Sequence, residues 1–253
     1  MNTQHDVNKK QYAGKSHHYL ESSVHSQGKE FAKIILHIQK NQYKKILDLG
    51  CGGGHVSYQI APLVEEVYAY DLSEEMIKIV EEIANKKGLK NIRTKKGVAE
   101  KISFLNEEFD CIVSRYSAHH WQNLTAALQE IRRVLKPKGS FILIDILGSE
   151  NSLLDSFLQT IEQIRDPSHV KNYSISMWSQ YAEKLGFKIQ KIEIQDLSLD
   201  FKTWIERMQT DNISTQVIQR LQQQACDNIK NYFSIENNGN FITQVGYFEF
   251  IKI

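Results

Sequence analysis

Cysteine is scarce and poorly placed for pairing. Cys51, Cys111 and Cys226 are odd in number, lie far apart and form no C-x-x-C. This excludes a disulfide framework and leaves no zinc-ligand spacing, so no metal site is expected and the thiols read as free in a reducing cytoplasm. An excess of either charge is also missing: Lys plus Arg number 31 and Asp plus Glu 30, a net of +1. No overall field therefore draws the chain to nucleic acid or to an anionic membrane surface. Uncharged apolar runs never approach the roughly 20 residues needed to span a bilayer. The polar opening "MNTQHDVNKKQYAGKSHHYL" lacks the apolar core of a signal peptide. Repeats and low-complexity tracts are absent, and nothing in the sequence speaks to oligomeric state. These absences point to a cytoplasmic protein with no nucleic-acid partner and no membrane span.

What is present is an alternation of strand-length apolar runs with helix-period segments from about residue 44 to 147. It predicts successive βαβ units on a parallel sheet with right-handed crossovers. "KKILDLG", "EVYAYDL", "NIRTKKGVAE", "FDCIVSRYSA" and "SFILIDIL" read as its five strands. Helices are predicted over "GGHVSYQIAPLV", over "SEEMIKIVEEIANKKGL" with Ser73 as N-cap and Gly88 as stop, and over "NLTAALQEIRRVLKPKG" as far as Pro137 and Gly139. Later come two amphipathic helices, a strand in "KIQKIEI", the helical stretches "FKTWIERM" and "STQVIQRLQQQACDNIKNYF", and a final alternating run, "FITQVGYFEFIKI". The expected plan is one domain over 1–253. It has a helical cap at 1–40, a cofactor-binding core at 41–150, and a C-terminal half at 151–253 with a helical insertion at about 197–235.

The stretch "KKILDLGCGGGHVSYQI" sets Gly50, Gly52, Gly53 and Gly54 directly after the first strand. Glycine there permits a sharp turn with positive φ and lets a ligand touch the main chain. A dinucleotide fingerprint needs a third glycine where this chain has His55. The spacing is G-x-G-x-G, preceded by Asp48, and a second acid, Asp71, closes the next strand in "AYDLS".

Together "ILDLGCGGG", "AYDLSEEMI", "GVAE", "FDCIVSRYSAHHW" and "EIRRVLKPKGSFILIDI" resemble the class I S-adenosylmethionine-dependent methyltransferases, in the small-molecule branch of the ubiquinone and menaquinone C-methyltransferases. The likeness is close over 44–147 and holds elsewhere in outline. It implies a Rossmann-like, doubly wound, mostly parallel seven-stranded α/β sheet of order 3-2-1-4-5-7-6, the last strand antiparallel, with helical lid elements. It also implies S-adenosylmethionine as cofactor and methyl transfer to a small-molecule acceptor by in-line displacement.

On this resemblance, main chain at Gly50, Cys51, Gly52 and Gly54 approaches the cofactor's amino-acid part, and the following helix N-terminus favours its carboxylate. Asp71 accepts from the ribose hydroxyls, Leu72 and Met76 cover an adenine face, and Ala99 offers its N–H to adenine. Relatives often carry Asp where this chain has Val98, a lost contact worth roughly 1.5–3 kcal/mol if buried, with Glu100 a candidate replacement. Asp48 either caps the glycine loop or sits near the cofactor's amine. Cys51 reads as a small loop residue, since the transfer needs no covalent enzyme intermediate. Trp121, Trp178 and Trp204 read as packing residues.

His119 and His120 stand in tandem after the fourth strand. Either one packs and the other is solvated, or one faces the acceptor as a general base. Arg115 and Ser117 belong to the same loop, Arg115 pairing with an acceptor anion or with acidic neighbours. Tyr19 and His25 fall in the cap, nearest the cofactor's amino-acid end. Tyr12, Tyr19, Phe201, Trp204 and Met208 are available to face a flat or apolar acceptor. Three other functions fit less well. A nucleic-acid methyltransferase would carry an N-P-P-Y type motif or a basic tract, a nicotinamide-dependent oxidoreductase would need the third glycine, and the last is a noncatalytic cofactor-binding protein.

Overall fold

The computed structural model describes residues 3–12 and 28–253. Its centre is a seven-stranded sheet of order β3-β2-β1-β4-β5-β7-β6. The strands are β1 (Lys45–Leu49), β2 (Glu66–Asp71), β3 (Ile92–Lys96), β4 (Phe109–Arg115), β5 (Leu135–Ile146), β6 (Phe187–Leu199) and β7 (Phe241–Lys252). β1 to β5 pair in parallel, while β7 runs antiparallel to both β5 and β6. The central strands read as near-continuous apolar runs because both faces are covered. Leu47 and Leu49 pack on one face with Leu128, Ile131 and Trp178, and Ile46 packs on the other with Ile34, Val56 and Val80, as the two-residue repeat of a strand requires.

The first face is covered by α5 (Leu124–Val134) and α7 (Ile175–Lys184), the second by α2 (Glu30–Asn41), α3 (His55–Ile60) and α4 (Glu74–Lys86). Ser73 caps α4 by accepting from the Met76 N–H at 3.4 Å, and Gly88 follows it at φ +69°. A third core joins α6 (Ser152–Arg165), α8 (Phe201–Met208), α9 (Asn212–Gln224) and α10 (Asp227–Tyr232) around Leu158, Trp204, Ile218 and Phe233. The remaining described helix, α1 (Gln4–Tyr12), contributes no buried residue. None of the helices among the described residues is long and apolar enough to cross a membrane.

Three local expectations differ from the structure. The helix after the glycines stops at Ile60, and Pro62 sits in a 3-10 turn at Ala61–Leu63. α5 ends at Val134, before Pro137 and Gly139, which lie inside β5. The pairing of β5 with β4 jumps there, from Phe109↔Leu135 to Cys111↔Ser140, and a bulge tolerates a residue without a ladder N–H. β6 runs on to Leu199 because it pairs with β7 as far as Leu199↔Phe241. The helical insertion therefore starts at Phe201, and its second stretch breaks between Gln224 and Asp227.

The sheet order changes direction between β1 and β4. Loops after these two strands consequently diverge to opposite sides and leave a crevice at the carboxyl ends of the strands, where open α/β sheets bind ligands.

Candidate active site

The crevice holds a cleft of about 1050 Å³ floored by the loops after β1, β2 and β4. The first loop turns through positive φ at Gly50 (+73°), Gly52 (+48°) and Gly54 (+82°). The three glycines meet different constraints. A Cβ on Gly50 would stand 1.9 Å from Ser117 Oγ, and one on Gly54 would stand 2.7 Å from the Tyr58 ring, whereas one on Gly52 meets nothing within 4 Å. Gly50 and Gly54 are therefore bare so that the loop can pack, and Gly52 presents open main chain to the cleft.

Two acids hold this loop, Asp48 buried and Asp71 half-buried. Asp48 Oδ2 accepts from the Ser57 N–H at 3.0 Å and from Ser57 Oγ at 2.6 Å, which anchors the first turn of α3. Burial pushes its carboxyl up to about 7. Asp71 accepts from the Gly52 N–H at 2.9 Å through Oδ2 and from the Ser73 N–H at 2.8 Å through Oδ1. Burial raises its pKa as well. A carboxylate has about four lone-pair sites, so each Asp71 oxygen keeps accepting capacity. The Cys51 thiol is pushed upward by burial and by Asp71 and Asp48, so it stays protonated and unreactive.

Along the rest of the cleft stand Leu72, Met76, Val98, Ala99, Glu100, Arg115, Ser117 and His120. Glu100 is engaged by the Asn123 N–H at 3.2 Å and by His5 Nε2 at 3.6 Å. Arg115 donates from Nε to Glu30 Oε1 at 2.8 Å, in a pair buried on both sides, and its guanidinium lies 4.6 Å from the ring centres of Phe31 and Tyr116. Ser117 Oγ accepts from Trp121 Nε1 at 3.2 Å. Gly54 faces packed side chains rather than the cleft. Tyr19 and His25 lie outside the described residues.

α1 lies across the mouth and contributes His5, Asn8 and Tyr12 to the cleft wall. Its ties are polar: Gln4 Nε2 to Ser168 O at 3.0 Å, Gln11 Nε2 to Met208 O at 3.3 Å, and Tyr12 Oη to His120 Nε2 at 2.7 Å. Beyond Tyr12 and Tyr116 a second cavity of about 570 Å³ opens, lined also by His119, Arg165, Leu199, Trp204 and Arg207. The tandem histidines thus face different spaces, His120 the cleft and His119 the second cavity.

Sequence reasoning missed Asp145, which binds both the backbone N–H and the ring of His119. It also missed His5, Asn8 and the cluster of Glu162, Arg165, Asp166 and His169. Asp145 does stand at the carboxyl end of "SFILIDIL", and an acid ending a buried strand was the available signal. The others come together only through the packing of α1 and α6.

Residues 47–143 match the model of a methyltransferase domain. A protein of Escherichia coli, YafE, is 37% identical over 196 residues, 78% of this chain and 95% of the relative. The methyltransferase YcgJ of Bacillus subtilis is 32% identical over 223 residues, 88% of each chain. The chain belongs to the class I S-adenosylmethionine-dependent methyltransferases. The crystal structure of YcgJ superimposes with a TM-score of 0.85 at 30% identity, covering 88% of this chain and 97% of that one. The ubiquinone/menaquinone C-methyltransferase UbiE of Coxiella burnetii is 32% identical over 130 residues, about half of each chain at 50% and 51%. The methyltransferase therefore has the fold and the cofactor, S-adenosylmethionine, that its motifs imply. Its own residues fit that cofactor: bare main chain at Gly52, with a half-buried acid beside it at the end of β2, forms a cradle that any larger side chain would fill.

Proposed function

We propose that the methyltransferase acts on a small organic acceptor held in the second cavity, next to the cofactor cleft. The observation that carries this reading is the shared wall, since Tyr12 and Tyr116 line both spaces. The second cavity is lined by a mixture of ring, aliphatic and charged side chains. Its Tyr, Trp and Leu side chains suit a flat or apolar body, and Arg165 in its wall is paired with Glu162 at 2.9 Å. The near-neutral net charge of +1 weighs against a nucleic-acid acceptor.

In this reading Gly50, Cys51 and Gly52 hold the cofactor's amino-acid part with main chain, and Asp71 accepts from the ribose hydroxyls with the capacity left over from Gly52 and Ser73. Leu72 and Met76 cover adenine, and the Ala99 N–H meets its edge beside Val98. Asp48 and Gly54 keep the loop in shape, and Ser117 packs beneath Gly50. Arg115 acts by fixing α2 to the end of β4. Glu100 serves α1 and α5, so the contact absent at Val98 is not restored by that carboxylate. When bound, S-adenosylmethionine supplies an electrophilic methyl group on a good leaving group, so alignment and exclusion of water supply most of the acceleration. α1 provides the exclusion.

The test is calorimetry with S-adenosylmethionine, followed by a screen of small acceptors monitored by release of the demethylated cofactor. Asp71→Ala is expected to lose on the order of 2 kcal/mol of cofactor affinity. Unchanged affinity would remove Asp71 from the site, and turnover restricted to nucleic acid would replace the small-molecule reading.

A further inference from the structure

The two histidines after β4 are held in opposite ways. Both ring nitrogens of His120 are engaged, Nε2 with Tyr12 Oη at 2.7 Å and Nδ1 with Ser168 O at 3.1 Å. His169, 5.8 Å from His119, is likewise tied by Nε2 to Gln159 Oε1 at 2.9 Å. His119 differs. Its Nδ1 lies 2.5 Å from Asp145 Oδ1, and its backbone N–H donates to Oδ2 of the same carboxylate at 3.1 Å. Its carbonyl accepts from the N–H groups of Val170 and Lys171, so main chain and ring are both fixed. An ionised carboxylate only accepts, which places the imidazole proton on Nδ1 and leaves Nε2 with a lone pair. Among the described residues nothing hydrogen-bonds Nε2, and the His119 side chain lines the second cavity.

We propose that His119 is the general base of the methyl transfer, with Asp145 as its positioning residue, and that the acceptor reaches the second cavity with a proton on, or conjugated to, the atom that is methylated. This rests on the small-molecule reading above. The acceptor's proton passes to His119 Nε2, and the electron pair left on the acceptor forms the bond to the methyl carbon as the carbon–sulfur bond breaks, its pair staying on sulfur. The proton on His119 then leaves to water once the site opens.

The groups facing the ring are Asp145 on β5, Glu162 and Arg165 on α6, Asp166 and His169 after α6, and His120 beside it. Burial presses the imidazole down, but the charge and hydrogen bond of Asp145, with Glu162 and Asp166 adding, leave it above its ordinary value. A more basic imidazole takes up an acceptor's proton more readily. His120 is held neutral, pushed down to about 4 by burial and by the charge of His119, and its lone pair belongs to the Tyr12 contact.

Two measurements on the full chain decide this. In the complex with S-adenosylhomocysteine, long-range ¹H–¹⁵N correlation spectra should show His119 as the Nδ1–H tautomer, and its titration should fall by at least about one pH unit in Asp145→Asn. An Nε2–H tautomer, or a titration indifferent to Asp145→Asn, overturns the proposal. The second is release of the demethylated cofactor with a panel of phenols and enols alongside tertiary amines and thioethers. His119→Asn, whose amide can still donate to Asp145, should lose about 10²–10⁴-fold in kcat with protic acceptors while S-adenosylmethionine binds within twofold. Retention of kcat within threefold, or turnover of aprotic acceptors alone, overturns it. A protein that binds S-adenosylmethionine yet methylates nothing in the panel overturns the small-molecule reading and the base with it, whereas lost cofactor binding in His119→Asn alone overturns only the base.

Discussion

The hydroxyl of Tyr12 lies 2.7 Å from Nε2 of His120, so the first helix of the chain is tied to the loop after the fourth strand, across the wall between the two cavities. α1 buries no side chain of its own. Its position therefore rests on a few polar ties rather than on apolar area, which leaves it among the segments that open at low free-energy cost.

Tyr12→Phe removes one of those ties at a cost of about 1 kcal/mol. Amide exchange over residues 4–12 should quicken roughly fivefold, and S-adenosylmethionine should dissociate faster. Exchange indistinguishable from the unsubstituted protein would show that α1 is held by something else.

Two glycines of one loop should fail for different reasons. Gly52→Val puts a side chain where no protein atom lies within 4 Å. The variant should fold, with about 1–2 kcal/mol of backbone strain, and bind no cofactor by calorimetry. Gly50→Ala collides with Ser117 Oγ at 1.9 Å, so it should lose stability in urea before affinity becomes measurable. A stable Gly50→Ala or a Gly52→Val that binds normally would reverse these assignments.

Glu30 and Arg115 form a buried ion pair between α2 and the end of β4, with N–O distances of 2.6 and 2.8 Å. Glu30→Ala leaves the guanidinium buried without its carboxylate and should cost on the order of 3–5 kcal/mol. The double variant Glu30→Ala, Arg115→Met should recover a large part of that loss in urea denaturation. Equal losses in single and double variants would mean that Glu30 matters for packing and not for charge.

His169 is pushed down to about 3, chiefly by burial, and protonation of the neighbouring imidazoles would lower it further. An unfolded histidine titrates near 6.5, so in the window between those values the unfolded chain holds a proton that the native chain lacks. The contribution of His169 is complete above pH 6.5 and is lost as pH falls, at up to about 1.4 kcal/mol per pH unit. Asp48, pushed up to about 7 by burial, works in the opposite direction but is common to both proteins compared. His169→Gln should therefore show a flatter fall in stability than the unsubstituted protein between pH 6.5 and 4.5. Parallel curves would contradict a buried neutral His169.

Local chemistry determined the parallel strands and a ligand site on bare main chain, and the resemblance carried by five motifs named the cofactor. Buried strands must be apolar, a turn with positive φ demands glycine, and Gly50, Gly52 and Asp71 announce a ligand that touches main chain because few other needs put those residue types at strand ends. These signals lie within a few residues of each other. What lay beyond them was decided by packing over long sequence separations. Asp71 holds the loop by a hydrogen bond from Gly52 that no spacing reveals, and the bonds to Ser57 decide between the two roles open to Asp48. Arg115 turned to Glu30, a residue of α2. The division of labour between His119 and His120 came from Asp145 on β5 and Tyr12 on α1. Two adjacent imidazoles are chemically identical as sequence, and only the fold gives one a carboxylate behind it and the other a tyrosine in front.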